Sequence, residues 1–196
     1  MPRQPEFDRS QVLDRALDLF WSHGYESSSI SKLLDAMEMN RGSLYAAFGD
    51  KSSLFKEVLE YYMDLFHSQL YGPTLVTIED PVQAIRGFFQ LAFIELEDRS
   101  KLVNGCLLLN AITALHQTEP ELAAKANDKL LWIRELILAR VTEAQQAGMV
   151  SLDKDSSVLA DYLIALLAGL RTLCKSGADQ ASLQLVIDAG LSSVFE

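Results

Sequence analysis

Apolar residues recur every three or four positions along most of this chain, which is the period of an amphipathic α-helix. No stretch of useful length alternates apolar and polar residues in the way that a half-buried strand does. The pattern predicts an all-α fold with helices at 8–23, 29–37, 40–48, 51–71, 81–98, 105–118, 121–148, 154–176 and 180–194.

Two of the predicted helices are short and are separated by a tight turn, between residues 28 and 51. The first can be capped by Ser29, and its apolar residues lie at i, i+3, i+4 and i+7. These residues are Ile30, Leu33, Leu34 and Met37. The second can be capped by Asn40, and it directs Leu44 and Phe48 inward. This is the layout of a helix-turn-helix that reads DNA.

The outward face of the second helix carries residue types that contact DNA. Arg41 can form two hydrogen bonds with a guanine edge or bind a phosphate, and the hydroxyl groups of Ser43 and Tyr45 can reach phosphate oxygens. Gly42 removes bulk where the backbone would approach the duplex. Upstream, an amphipathic helix ends at Gly24, which is typical of a helix stop. Three helices therefore close one small core.

The chain is acidic, which narrows the kind of nucleic-acid binding to expect. It has 196 residues and a formal net charge of −10, and its first 60 residues contain seven basic and ten acidic side chains. This balance argues against indiscriminate binding to nucleic acids or membrane surfaces. Lys32, Arg41 and Lys51 nevertheless cluster around the two short helices. We therefore expect selective binding to double-stranded DNA.

The N-terminal quarter resembles the DNA-binding domain of the TetR family of bacterial transcriptional repressors. The residues that carry the resemblance are Phe20, Gly24, Tyr25, Ser29, Ile30, Leu33, Gly42, Ser43, Leu44, Tyr45, Phe48, Lys51 and Leu54. The resemblance implies DNA contacts from Ser29, Arg41, Gly42, Ser43, Tyr45 and Lys51, and the clustering of basic residues adds Lys32. Glu38 stands where the family usually has a turn glycine, so we expect a non-glycine residue at positive φ. Ala46 and Ala47 replace frequent aromatic or histidine residues.

The predicted organisation is a helix-turn-helix DNA-binding domain at 1–50, a connecting helix at 51–71, and a larger helical ligand-binding and dimerisation domain at 72–196. Gly72-Pro73 and Glu79-Asp80-Pro81 punctuate a loop between the last two parts. The last two helices are apolar over more than one face. They are either central core helices or a partner surface, and the resemblance favours a homodimer on a near-palindromic operator.

The middle helices are expected to enclose an unknown small-molecule inducer. Candidate ligand-binding residues are Phe89, Phe93, Asn110, Thr113, His116, Trp132 and Tyr162, although each of them also suits an ordinary core. Cys106 follows a glycine at a predicted helix start, where the helix dipole and free amides favour the thiolate. Cys106 is thus either a redox sensor, with Lys175 as a cationic neighbour, or a small buried apolar residue.

No catalytic or metal-binding constellation is recognisable in the sequence. The three histidines lie in different predicted helices without a second ligand at i+3 or i+4, and the two cysteines are far apart. We expect no enzyme activity, no cofactor and no metal. The apolar run 158–173 is interrupted by Asp161 and Arg171, so no membrane span is predicted and a cytoplasmic location is expected.

The sequence therefore favours a DNA-binding transcriptional repressor that is released by a small-molecule inducer or by modification of Cys106. The alternative is a helical dimeric adaptor that binds a ligand or protein and has lost operator binding.

Overall fold

A computed structural model describes residues 7–95 and 99–195 of the chain. The first six residues of the predicted DNA-binding domain, the end of the predicted helix 81–98 and Glu196 lie outside the described residues. Within the described ranges the chain is helical and has no strand, which confirms the all-α prediction. The α-helices are α1 (Arg9–His23), α2 (Ile30–Met37), α3 (Arg41–Phe48), α4 (Lys51–Phe66), α5 (Pro81–Phe93), α6 (Leu107–Leu115), α7 (Pro120–Gln146), α8 (Ser156–Lys175) and α9 (Gln180–Phe195).

The chain folds as two compact units. Unit 1 consists of Met1–Asp64 and Leu107–Asn127, and unit 2 consists of Leu65–Cys106 and Asp128–Glu196. The chain thus enters unit 2 near the end of α4, returns to unit 1 at α6, and leaves it again within α7. The predicted domain limits at residues 50 and 71 stay predictions.

Side-chain caps begin the first helices of unit 1. The Ser29 hydroxyl accepts a hydrogen bond from the Lys32 amide (3.3 Å), the Asn40 side-chain oxygen accepts one from the Ser43 amide (2.9 Å), and the Asp50 carboxylate accepts one from the Ser53 amide (2.7 Å). Each bond satisfies an amide that has no partner inside its helix. The caps predicted at Ser29 and Asn40 are confirmed.

The core of unit 1 is aromatic and aliphatic. The rings of Phe20 and Phe55 meet edge to face at 4.9 Å, and Tyr25 stacks on Phe20 at 6.0 Å. Leu33 of α2 and Leu44 of α3 are completely buried. Each short helix is thus anchored by a buried leucine, and α2 packs against α1.

The predicted loop at Gly72-Pro73 is wrong. After α4 the chain continues as a π-helical segment, His67–Val76, which includes Pro73. The Thr77 amide donates to the Gly72 carbonyl (3.0 Å), five residues back, as wide π turns require. Burial of Leu70, Tyr71 and Leu75 favours this continuation over the turn that the Gly-Pro pair suggests.

Two other predicted helices have different ends in the structure. The predicted helix at 81–98 ends at Phe93, and the one predicted at 105–118 covers Leu107–Leu115. Gly105 has φ of +72°, which an α-helix does not allow, and a 3₁₀ helix over Arg99–Asn104 precedes it. The positive φ of Gly105 therefore prevents α6 from beginning at residue 105.

The last two helices retain exposed apolar side chains. Val158 and Tyr162 of α8 and Leu185 and Val186 of α9 all lie at the surface of unit 2. In the described part of the chain, α8 alone is long and apolar enough to pass a composition test for a membrane span. Core helices of water-soluble proteins pass the same test, so this is weak evidence for a membrane.

Candidate nucleic-acid interface

The turn between α2 and α3 is built on a left-handed residue. Glu38 has φ of 53° and ψ of 42°, and its amide donates to the Asp35 carbonyl (3.4 Å). The prediction of a non-glycine residue at positive φ is therefore confirmed. The Glu38 carboxylate lies 3.0 Å from Arg15, but both side chains are exposed, so this pair offsets little of the backbone strain.

Helix α3 divides into a buried side and an outward side. Leu44 is completely buried and Phe48 is 6% exposed. On the other side Arg41 and Gly42 are exposed and Tyr45 is 44% exposed. A guanidinium, a bare backbone position and a phenol therefore share one solvent-facing surface at the start of this helix.

Gly42 is not required by the packing of the protein itself. A methyl group there would meet, among the described residues, the Asn40 side-chain oxygen at 3.4 Å, which is an ordinary contact. Glycine inside a helix costs about 0.5–1 kcal/mol relative to alanine. Neither internal packing nor a positive φ explains this glycine, so its absent side chain points to close approach by another molecule.

Lys51 is held in place by an aromatic ring. Its ammonium nitrogen lies 4.1 Å from the centre of the Tyr25 ring, at the start of α4. Burial lowers the pKa of Lys51, and Glu26 and Glu119 oppose that shift. Burial also raises the pKa of Tyr25 to about 12, with Glu119 as the next cause. Sequence reasoning identified Tyr25 as a family match but missed its role as a platform for Lys51.

Ser43 of α3 is half-buried, and two further predicted DNA-contact residues lie at the beginning of α2. Ser29 is exposed, and since its hydroxyl oxygen accepts the capping hydrogen bond, its hydrogen is available to an external acceptor. Lys32 is exposed, and its ammonium donates to the Ser27 carbonyl (3.0 Å). Both residues therefore present donors at the surface of unit 1.

An ion pair that sequence reasoning missed, between Arg9 and Glu57, lies against the buried side of α3. Arg9 donates two hydrogen bonds to the Glu57 carboxylate, at 2.6 and 2.7 Å, and its guanidinium lies 4.5 Å from the centre of the Phe48 ring. Three helices thus meet around one side chain. No sequence signal could find this arrangement, because the two charges are 48 residues apart and lie among other surface charges.

The predicted ligand-binding residues of unit 2 occupy different surroundings. Phe89 and Phe93 are completely buried, with their rings stacked at 6.3 Å. Trp132 meets the edge of the buried Tyr71 ring at 5.7 Å. Tyr162 is exposed, and its hydroxyl accepts a hydrogen bond from Ser193 (3.1 Å) across α8 and α9. Phe89 and Phe93 thus lie in the interior, whereas Tyr162 lies on the surface of the last two helices.

The other three predicted ligand-binding residues belong to unit 1. Asn110 is half-buried in α6. Thr113 is exposed, and its hydroxyl donates to the Leu109 carbonyl (2.8 Å) of its own helix. His116 is exposed beyond the end of α6, with its ring nitrogen 3.1 Å from the Thr113 carbonyl. These three residues belong to unit 1 and the predicted aromatic ones to unit 2, and the ligand role of all of them stays a prediction.

Cys106 is buried directly before α6, whereas Lys175 is exposed in the last turn of α8. Burial raises the pKa of the Tyr71 phenol, the nearby Cys106 raises it further, and the charge of Arg171 opposes both. A search of the described residues for clusters of metal-binding side chains found none.

Two parts of the chain match known protein families. Residues 12–58 match the model of bacterial regulatory proteins of the tetR family, and residues 81–189 match that of the tetracyclin repressor-like C-terminal domain. The HTH-type transcriptional repressor ComR of Escherichia coli (strain K12) is 27% identical over 184 residues, which cover 94% of this chain and 87% of ComR. An HTH-type transcriptional regulator of Bacillus subtilis (strain 168), YezE, is 30% identical and covers 98% of both chains.

A solved structure of a transcriptional regulator bound to DNA is also similar to this chain. A cysteine mutant of the TetR family transcriptional regulator CifR, complexed with 26bp double-strand operator DNA, has a TM-score of 0.85 and 29% identity. The match covers 97% of this chain and 99% of that one. The chain therefore belongs to the TetR family of bacterial regulatory proteins, and it is a DNA-binding transcriptional regulator, not an enzyme.

Proposed function

We propose that the outward face of α3, together with Ser29, Lys32 and Lys51, contacts the operator of a repressor. The observation that carries the proposal is Gly42, because this exposed helical glycine has no function in the packing of unit 1. Arg41 precedes Gly42 and suits a base edge or a phosphate. Lys51, held over Tyr25, offers a fixed cation to a phosphate.

The active form is a homodimer that pairs through α8 and α9 and binds a near-palindromic operator in the cytoplasm. Exposed apolar side chains on both helices support this pairing, since Val158 is 63% exposed and Leu185 is 71% exposed. A two-fold axis would place the two copies of α3 about 34–36 Å apart, which is one turn of DNA. Each copy of α3 would then enter one of two successive major grooves on the same side of the duplex.

Release from the operator follows a change in unit 2, either the binding of a small molecule or the modification of Cys106. The continuous helical run from Lys51 to Val76 carries the chain from unit 1 into unit 2, so it is the covalent route for such a change. Cys106 is 7% exposed, which means that a reagent must first open the structure around it.

The test is fluorescence anisotropy with the DNA upstream of the protein's own gene, at ~150 mM salt and with unrelated DNA as competitor. Arg41→Ala and Tyr45→Ala should each weaken binding by about 1–3 kcal/mol without lowering thermal stability. Lys125→Ala, which removes an exposed cation from α7 of the same unit, serves as the control. If all three variants bind equally, α3 does not contact the operator.

A further inference from the structure

Apolar contacts alone restrain the rotation of α3 about its own axis only weakly. The helix has eight residues, and its buried side chains are those of Leu44 and Phe48. A helix this short is unstable in water without tertiary contacts. Apolar contacts have no preferred direction, and these two anchors lie on one side of the helix, one turn apart. A directional contact would therefore define more closely which residues of α3 face outward.

Arg9 makes a directional contact at the C-terminal end of α3. Its terminal nitrogen Nη2 donates to the Ala47 carbonyl over 3.4 Å. Ala47 lies in the last turn of α3, where carbonyl groups have no partner inside the helix and a cation complements the helix dipole. The guanidinium carbon also lies 4.5 Å from the centre of the Phe48 ring. Arg9 thus contacts both the backbone and an anchor side chain of the same helical turn.

Glu57 of α4 fixes the position of the Arg9 side chain. Its two carboxylate oxygens accept hydrogen bonds from Nε (2.6 Å) and Nη2 (2.7 Å) of Arg9. Two parallel hydrogen bonds fix the plane of the guanidinium, which a single bond would leave free to turn. Arg9 is the first residue of α1, so one side chain connects α1, α3 and α4. The carboxylate also balances the charge of Arg9, which makes Arg9 a poor candidate for a phosphate contact.

We propose that Arg9 is a positioning residue for operator recognition, which holds α3 at the angle at which Arg41 and Tyr45 face the DNA. The inference rests on the proposed contact between α3 and the operator, and it adds a residue that does not touch the DNA. A helix that rotates about its axis keeps its charges but misplaces its base contacts. Binding to unrelated DNA depends on charge and not on that fit. Loss of the Arg9 contacts should therefore lower specificity rather than general affinity for DNA.

The test compares the wild type with Arg9→Lys and Glu57→Gln. Lysine keeps the charge of Arg9 but cannot bind the carboxylate through two nitrogens, and glutamine keeps the shape of Glu57 but removes its charge. Anisotropy titrations at several salt concentrations measure affinity for the DNA upstream of the protein's own gene and for unrelated DNA. A thermal melt of each protein measures stability.

Arg15→Lys is the matched control. Arg15 also lies in α1, and it contacts the Glu38 carboxylate (3.0 Å) and the Met37 carbonyl (3.4 Å). Both contacts come from one nitrogen, Nη1, which the ammonium group of lysine can replace. This variant should match the wild type in DNA affinity, salt dependence and melting temperature.

Arg9→Lys and Glu57→Gln should each bind the upstream DNA at least about fivefold more weakly than the wild type. Arg9→Lys should keep its affinity for unrelated DNA and its dependence on salt. Glu57→Gln removes a negative charge, so electrostatics alone would strengthen its binding to both DNAs, and weaker binding to the upstream DNA therefore indicates positioning. The melting temperature should fall by no more than about 4 °C, because exposed ion pairs contribute little to stability.

Amide hydrogen exchange without DNA measures the restraint on α3 itself. The Gly49 amide donates to the Tyr45 carbonyl (3.0 Å) at the end of α3, and it should exchange faster in Arg9→Lys. The Met39 amide donates to the Leu34 carbonyl (3.0 Å) at the end of α2, and its exchange should not change.

Three results would overturn the proposal. The first is that the wild type and Arg9→Lys bind the upstream DNA equally well. The second is an equal loss of affinity for both DNAs with a smaller salt dependence, which would make Arg9 a phosphate contact. The third is unchanged exchange of the Gly49 amide.

Arg41→Ala distinguishes a failure of this inference from a failure of the proposed function. If Arg41→Ala weakens binding to the upstream DNA and Arg9→Lys does not, α3 contacts the operator and Arg9 does not position it. If Arg41→Ala has no effect, the proposed contact of α3 is wrong and the role of Arg9 in recognition is refuted with it.

Discussion

Replacing Gly42 by alanine separates the stability of α3 from its contact with DNA. The residue is exposed, it lies in the first turn of the helix, and a methyl group there meets the Asn40 side-chain oxygen at a permissible 3.4 Å. Alanine should therefore add about 0.5–1 kcal/mol to the free energy of unfolding. In a domain of this size that gain raises the melting temperature by roughly 1–4 °C.

The same methyl group should weaken operator binding. It would project from the outward surface, next to Arg41, where the backbone is proposed to approach the duplex. We expect at least a tenfold loss of affinity, which is about 1.4 kcal/mol. The assay is the anisotropy titration at constant salt, together with a thermal melt of the same protein sample.

Asn127→Ala is the control for this experiment. Asn127 is exposed in α7, it belongs to unit 1, and its replacement gives a similar gain in helix propensity outside the helix-turn-helix. It should raise the melting temperature and leave operator affinity unchanged. A Gly42→Ala protein that binds the operator as tightly as the wild type would refute the argument from close approach. A lower melting temperature would refute the packing argument.

Three further changes test the geometry of unit 1. Glu38→Gly should raise the free energy of unfolding by about 1 kcal/mol in urea titrations. Glycine removes the backbone strain of a non-glycine residue at positive φ, although the exposed ion pair with Arg15 is lost. A decrease in the free energy of unfolding would show that this backbone position is not strained. Hydrogen bonds from Ser53 lower the pKa of Asp50, so the stability advantage of the wild type over Asp50→Asn should be complete above pH 3.8 and disappear as the pH falls further; a constant difference would show that the charge is irrelevant. Because burial raises the pKa of Tyr25 from 10.0 to about 12, stability should fall between these pH values, and less steeply in Tyr25→Phe; equal slopes would exclude Tyr25 as the cause.

The parts of the fold that depend on neighbours in sequence were predictable. Ser29, Asn40 and Asp50 each cap a helix by accepting a hydrogen bond from the amide three residues ahead. The i, i+3, i+4 spacing around Leu33 identified the buried face of α2. Glu38 was predicted at positive φ because it replaces a turn glycine. All of these are local effects, in which one residue satisfies or strains the backbone next to it.

The parts that depend on distant contacts were not predictable. The π-helical segment exists because burial of Tyr71 and Leu75 outweighs a Gly-Pro signal for a turn. The bond from Arg9 to Glu57 spans 48 residues. Arg171 interrupts an apolar run in the sequence, and its contact with the Phe93 ring of another helix depends on long-range packing. Long-range packing, not propensity, decides each of these cases.

The division of α3 into a buried and an outward side has a consequence for how such a regulator can change its target. Leu44 and Phe48 attach α3 to the core, and the Arg9 guanidinium lies against the Phe48 ring, whereas Arg41 and Tyr45 are exposed. Under the proposed contact between α3 and the operator, substitutions on the outward side alter which operator is bound while the protein remains folded. A gene copy could acquire a new target through a few changes on one helix, without compensating changes in the core.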